Sequence, residues 1–311
     1  MTNHTQGTRI VRHESLRTRV TKGYRRYLIF VLLIAPAFVL RLTTALYPIE
    51  RTLELSLREF KNYGTVENYV GLDNFRYLPE DFGFQGAIAF TLLFVIFSTF
   101  FQLILGLLIA ELLNRRFAGR GLVRAINLIP WAVPTIVAAY AARWILHDQF
   151  GMISHWIYLI SGQRPLFFVD PQLARIAVIA TNVWKNAPFM AVIFLAGMQS
   201  IPEELYDASK VDGANAIRRF YYITLPMIIP LIVTMSTFFI IWQVASLDLV
   251  YGMTRGGPGV ATDVLALQIF DDGIRSLNYG LASAISVILI LVVGFIGLIG
   301  ILLFRRFEIR Y

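Results

Sequence analysis

Long apolar runs separated by short polar segments dominate the chain. Six such runs are present, at about 28–47, 87–110, 122–146, 174–198, 223–247 and 280–304. A helix needs ~20 residues to cross the hydrocarbon core of a bilayer, and every run is close to that length. Backbone groups in lipid must form hydrogen bonds within their own segment, which favours helices over strands. The pattern therefore predicts an all-α integral membrane protein with six transmembrane helices.

The basic residues between these runs are distributed unevenly. Most of the 28 Lys and Arg residues lie before the first run and after the second, fourth and sixth runs. Because Lys and Arg are enriched in cytoplasmic loops, both termini are predicted to be cytoplasmic. The formal net charge of +8 then reflects the excess of Lys and Arg in the cytoplasmic segments, and no nucleic-acid partner is expected.

Composition narrows the function further. Hydrophobic residues make up 57% of the chain and charged residues 15%, whereas about a quarter of a soluble domain is charged. There is no cysteine, which excludes disulfides and thiol catalysis. The chain lacks a Gly-x-x-x-x-Gly-Lys-Ser/Thr loop for ATP. We therefore expect no catalytic residue, no metal site and no cofactor in this chain. Ala35-Pro36-Ala37 resembles a signal-peptide cleavage site, but the apolar run continues past it, which predicts a retained helix.

The segment between the fourth and fifth runs, residues 199–226, has a different pattern. Pro202 and two following acids are typical of a helix start, and Gly213 interrupts the segment. One small apolar stripe precedes this glycine and a second follows it, formed by Leu205, Ala208 and Val211, and by Ala214, Ile217, Phe220 and Tyr221. The pattern predicts two short helices joined at a bend. Interfacial helices are usually basic, so the acidic first half favours docking to a protein.

The same segment resembles the EAA loop of permease subunits in bacterial ABC importers. The family pattern is Glu-Ala-Ala, three residues, Gly, nine residues, then Ile-x-Leu-Pro. This chain has Asp207-Ala208-Ser209, Gly213 and Ile223-Thr224-Leu225-Pro226 at matching spacings. Asp207 and Ser209 depart from the pattern but keep a carboxylate and a small side chain.

Further segments are similar to the carbohydrate-uptake branch of these permeases, the maltose, trehalose and glycerol-phosphate type. They are 71–75 (GLDNF), 256–258 (GGP) and 279–284 (YGLASA). The resemblance implies a heterodimer with a second permease in the bacterial inner membrane. It also implies two ATPase subunits, which would bind ATP and Mg, and an extracytoplasmic sugar-binding protein. The implied domains are a cytoplasmic tail, 1–26, and a six-helix permease domain, 27–311, with a coupling loop at 199–226.

The resemblance also implies which residues act in coupling and in substrate binding. Coupling to the ATPase is expected from Glu204, Asp207, Ala208, Ser209, Gly213, Ile223, Leu225 and Pro226. Substrate binding is expected from Lys185, Asn186, Phe189, Phe239, Trp242, Gln243, Ser246 and Asp248. Aromatic faces with amide and hydroxyl groups suit a sugar, since rings stack on its apolar patches and polar groups bond its hydroxyls.

A charge inside a span is costly, so Lys185 needs a partner. The sequence leaves two candidate partners for Lys185: an acid of the second permease, which we favour, or an anionic sugar. The expected function is import of a di- or oligosaccharide by alternating access. The alternatives are import of a sugar phosphate, polyol or acidic oligosaccharide, or a membrane scaffold that does not transport.

Overall fold

The computed structural model describes residues 16–61 and 66–307, with side chains from 28 onward apart from 29 and 61–66. Two compact units are distinguished, 1–52 and 53–311. The described part of the first unit is the greater part of helix α1 (Leu16–Ser56), which contains Pro36 and Pro48. This helix begins inside the predicted tail 1–26, whose residues 1–15 lie outside the described part of the chain.

The second unit is almost entirely helical. A short antiparallel hairpin, β1 (Arg58–Lys61) and β2 (Val66–Tyr69), comes first. The helices that follow are α2 (Asp73–Tyr77), α3 (Phe82–Asn114), α4 (Arg120–Ala132), α5 (Thr135–Ile145), α6 (Met152–Ser161), α7 (Pro171–Gln199), α8 (Glu203–Val211), α9 (Ala216–Arg219), α10 (Leu225–Val244), α11 (Asp248–Met253), α12 (Leu265–Phe270) and α13 (Tyr279–Phe307). A 3-10 turn spans Leu78–Glu80, and π-helical turns span Phe220–Thr224 and Asp271–Arg275.

The predicted all-α membrane fold is confirmed. Five helices of the described residues are long and apolar enough to cross a membrane, and the count reaches six if the bent pair α4–α5 is one span. That pair differs from the uninterrupted helix predicted for 122–146, because α4 and α5 meet at 91°. Pro134 has no N–H to continue the ladder, and Val133 before it is extended, as residues before proline tend to be.

The long helices α3 and α7 form the centre of this unit. Asp81 caps α3 by accepting the Gly83 N–H at 2.8 Å, and Asp170 caps α7 in the same way. Gly106 lets the two helices approach closely, since a Cβ there would lie 3.2 Å from Met190 Cγ. Around this pair, α10, α12 and α13 complete the apolar clusters that hold the unit together.

Candidate functional site

The coupling segment, residues 199–226, forms the two short helices expected from its pattern. Helix α8 follows Pro202 and carries Glu203 and Glu204 in its first turn. Gly213 has φ +75°, a left-handed conformation that L side chains rarely adopt. Asn215 then caps α9 by accepting the Arg218 N–H at 2.9 Å. The predicted bend therefore lies at the glycine, for a backbone reason.

Most of the α8 surface faces outward. Its apolar stripe, Leu205, Ala208 and Val211, is exposed, and Val211 is 88% exposed. Asp207 pairs with Lys210 on the same helix, with Oδ1 and Nζ 2.7 Å apart. The exposed pair contributes little to stability and leaves the carboxylate at the surface. Binding of a partner's basic residue by Asp207 stays a prediction.

The remaining predicted coupling residues divide by burial. Glu204 and Pro226 are exposed, whereas Ser209, Ile223 and Leu225 are half-buried. Of the second predicted stripe, Ile217 and Tyr221 are exposed, while Phe220 packs against the apolar cluster of α3, α7 and α10. The segment is therefore anchored at its carboxyl end and largely exposed along α8.

A buried polar network joins α3, α7 and α10 within the predicted spans. The Asn182 side-chain amide donates to Gln243 Oε1 at 2.6 Å. Gln243 in turn donates to Thr99 Oγ1 at 3.0 Å and to the Phe239 carbonyl at 3.1 Å. Gln102 donates to the Asn182 carbonyl at 3.2 Å. Polar side chains in a bundle interior are satisfied across helices in this way.

Asn186 and two aromatic residues border this network. Asn186 is half-buried and donates to Asn182 Oδ1 at 2.8 Å. Phe189 stacks on Trp131 with ring centroids 4.5 Å apart and lies 6.2 Å from Phe239. Amide groups and aromatic faces thus come together where α4, α7 and α10 meet, and binding of a substrate there stays a prediction.

Lys185 has partners within the chain. Its ammonium donates to the carbonyls of Trp131 at 3.1 Å and Val133 at 2.7 Å, and the side chain is buried. These carbonyls belong to the bend between α4 and α5, where the helical ladder leaves acceptors free. The lysine therefore stabilises the bend. The sequence did not suggest these carbonyls as its partners.

Three predicted substrate residues lie apart from the network. Trp242 is 63% exposed and packs on Phe238, one position away from buried Gln243. Ser246 follows the end of α10 at Val244, and Asp248 starts α11. An acid suits the first turn of a helix because of the dipole. Ser246 and Asp248 therefore do not lie on the helix that carries Phe239 and Gln243.

The sequence prediction omitted four residues of this region: Thr99, Gln102, Asn182 and Trp131. Thr99 and Gln102 are three positions apart in an otherwise apolar run, which places them on one helix face. Asn182 and Asn186 are four apart. This spacing of polar residues within a span was the available signal.

Outside the spans, carboxyl groups cluster around α12. Burial raises the pKa of Asp263 to about 7, with Asp271 and Asp272 adding repulsion. Burial also raises the pKa of Asp272 to about 6, helped by Asp81 and Asp271. Arg275 pairs with Asp271 at 3.0 Å. Among the described residues, no group of three or more acidic, histidine or cysteine residues is arranged to hold a metal ion.

Comparison with known proteins decides the family. The family described as "Binding-protein-dependent transport system inner membrane component" matches residues 102–311. The chain belongs to this family. Its members are transport subunits and not catalysts, and this permease is a multi-pass membrane protein.

Individual relatives agree over most of the permease. The trehalose/maltose transport system permease protein MalF of Thermococcus litoralis is 35% identical over 88% of this chain and 92% of that protein. The sulfoquinovosyl glycerol transport system permease protein SmoG of Agrobacterium fabrum is 34% identical over 84% of this chain and 85% of that protein.

A solved structure has the same fold. It is a bacterial alginate ABC transporter in complex with an alginate pentasaccharide-bound periplasmic protein. One of its chains matches with a TM-score of 0.78 at 24% identity, over 93% of this chain and 98% of that chain. The coupling segment and the α7 and α10 parts of the polar network lie within the family match, whereas Thr99 precedes it.

Proposed function

We propose that this permease is the membrane subunit of an ATP-driven importer of a di- or oligosaccharide in a bacterial inner membrane. The observation that carries the proposal is the coupling segment, an acidic helix with an exposed apolar stripe next to a left-handed glycine. An exposed apolar face of this kind fits a groove on another protein. Two relatives, named as permeases for trehalose/maltose and for sulfoquinovosyl glycerol, support a carbohydrate cargo.

In this proposal, two ATPase subunits supply ATP and Mg²⁺ binding, and one docks on α8 of this chain. A second permease completes the translocation path, and a binding protein delivers the sugar from outside. The amide and aromatic groups around Asn186 and Phe189 contact the sugar during alternating access. Both termini and the coupling segment face the cytoplasm, as the distribution of basic residues indicates.

Gentle detergent extraction of the tagged chain from native membranes, followed by mass spectrometry, tests this assembly. We expect recovery of a Walker-motif ATPase and a second permease. A chain carrying Asp207→Lys should recover the second permease but less ATPase. Recovery of the wild-type chain alone, or with partners that bind no nucleotide, would favour the scaffold and overturn the proposal.

The geometry favours a neutral sugar over an anionic one. Lys185 is the cation among the predicted substrate residues, and its ammonium already donates to two carbonyls at the α4–α5 bend. Lys185→Met should therefore lower uptake of trehalose through loss of these two hydrogen bonds, without changing how strongly glycerol 3-phosphate competes with it. A selective loss of the anionic compound, measured by competition in whole cells, would favour the sugar-phosphate alternative.

A further inference from the structure

Tyr206 is the large side chain that α8 directs inward. Its neighbours Leu205 and Asp207 are exposed, whereas Tyr206 is half-buried and packs against the apolar cluster of α3, α7 and α10. Apart from half-buried Ser209 and the exposed Glu203–Arg116 pair at 3.2 Å, the other α8 side chains face solvent. An exposed pair of this kind contributes little, so movement of this helix reaches the bundle through few contacts. The tyrosine ring is one of these contacts, and its hydroxyl makes a second one.

The Tyr206 hydroxyl forms a hydrogen bond with a buried threonine. Tyr206 Oη and Thr224 Oγ1 share a hydrogen bond of 2.9 Å across eighteen residues of chain. Thr224 is 3% exposed, and its side chain makes no capping bond to α10. A buried hydroxyl that loses its partner costs more than the bond itself contributes. The pair therefore holds α8 to the first residue before α10.

The backbone hydrogen bonds change their spacing at this point. Phe220–Thr224 is a π-helical turn, in which the Leu225 N–H reaches back five residues to the Phe220 carbonyl. Pro226 follows and has no N–H to donate. Such turns occur as single insertions in helices, often at functional sites. Because the spacing changes here and Pro226 lacks a donor, a side-chain contact can influence the direction of the α10 start.

We propose that the Tyr206–Thr224 hydrogen bond is the link that carries movement of the ATPase-docked helix α8 into α10. Tyr206 and Thr224 are positioning residues in this scheme, since neither contacts ATP or the sugar. The bond attaches a rigid docking helix to the π turn, and α10 carries Phe239 and Gln243 into the polar network. The inference rests on the proposed function, because it requires an ATPase on α8.

Spin-label distances in the purified complex test the link. The chain has no cysteine, so spin labels attach in this chain only where a cysteine is introduced. One cysteine replaces the exposed Val211 on α8 and the other replaces the exposed Thr234 on α10. The distance is measured without nucleotide and after trapping with ATP, Mg²⁺ and vanadate. With the link intact, we expect one narrow distribution in both states, since α8 and α10 move together. Tyr206→Phe and Thr224→Val should each add a second, longer distance in the trapped state.

Three further variants make this result specific. Thr224→Ser keeps the hydroxyl and should restore the narrow distribution. Thr181→Val removes a buried hydroxyl that donates to the Ala177 carbonyl of its own helix at 2.8 Å, and should behave as the parent does. The double variant Tyr206→Phe/Thr224→Val should be no worse than either single one, because both remove the same bond.

Function gives a second measurement on the same complexes. Loss of one buried hydrogen bond should reduce the sugar transported per ATP hydrolysed by about twofold to tenfold, with trehalose as the probe, while ATPase recovery stays unchanged. If the Tyr206→Phe variant shows the same distance distribution as the parent chain in both states, the proposed link is wrong. Failure of the wild-type chain to recover an ATPase would instead overturn the proposed function on which it rests.

Discussion

The coupling segment and the polar network satisfy their polar groups in opposite ways. On α8, Asp207 pairs with Lys210 three residues away, and both side chains are exposed. In the network, Gln243 bonds Thr99 and Asn182, which lie 144 and 61 residues away, and all three are buried. Local partners leave a surface free to dock, whereas distant partners fix helices relative to each other. The difference predicts that substitutions in the coupling segment affect transport and those in the network affect stability.

The largest effect is expected at the bend of the coupling segment. Gly213→Val places a β-branched side chain at φ +75°, where even an unbranched residue costs roughly 1–2 kcal/mol. The turn between α8 and α9 would change direction, and sugar uptake should fall about tenfold or more. Membrane insertion, measured by the amount of extracted chain, should be unchanged.

Gly294→Val is the matched control for this substitution. A Cβ added at either glycine would meet no side chain within 4 Å beyond its immediate neighbours, and Gly294 lies inside α13 without a positive φ. Its variant should keep uptake close to the wild-type value. Equal losses at both positions would show that bulk, and not backbone conformation, is what matters.

A charge reversal on α8 should come next. Asp207→Lys breaks an exposed pair that is worth at most ~1 kcal/mol, so thermal stability should barely change. Uptake should fall severalfold, because the reversed charge meets the basic partner expected on the ATPase. Asp212→Lys is the control, since it reverses another exposed acid of the segment. If both variants transport normally, Asp207 is a solvated surface acid with no role in docking.

The network should respond through stability. Gln243→Leu removes the bonds to Asn182 and Thr99 and leaves both without that partner, at a cost of roughly 1–3 kcal/mol. Thermal unfolding in detergent should shift to lower temperature. Trp242→Leu, one position along and 63% exposed, should shift it less. A larger effect at Trp242 would contradict the division between the two regions.

These two regions also differ in how far the sequence could predict them. The α8–Gly213–α9 bend depends on local signals, namely a proline start, first-turn acids and a glycine at a break, and the structure confirms it. The network depends on how α3, α7 and α10 face one another, which periodicity within one run does not contain. Lys185 shows the limit: its burial cost was foreseen, but its carbonyl partners arise from the 91° bend at Val133–Pro134.

The smallest effect is expected from carboxyl groups that fit neither pattern. Asp263 and Asp272 are half-buried, and each has a side-chain oxygen without a hydrogen-bond partner among the described residues. Burial raises the pKa of Asp263 to about 7 and of Asp272 to about 6. A group that holds its proton more tightly when folded stabilises the fold at low pH and loses that contribution as pH rises.

Stability in detergent should therefore decrease between about pH 4 and about pH 7, the interval between the unfolded and folded pKa values of Asp263. Asp263→Asn keeps the shape without the ionisation, so it should flatten that slope and raise the melting temperature at pH 8 by a few degrees. Asp73→Asn, which changes an exposed acid paired with Arg76, should leave the slope unchanged. A wild-type melting temperature that rises steadily from pH 5 to pH 8 would contradict this sign. Such a rise would mean that Asp263 is charged in the folded protein, and a buried charge needs a partner. The carboxyl groups around α12 would then resemble the polar network, whose buried side chains each have a partner on another helix.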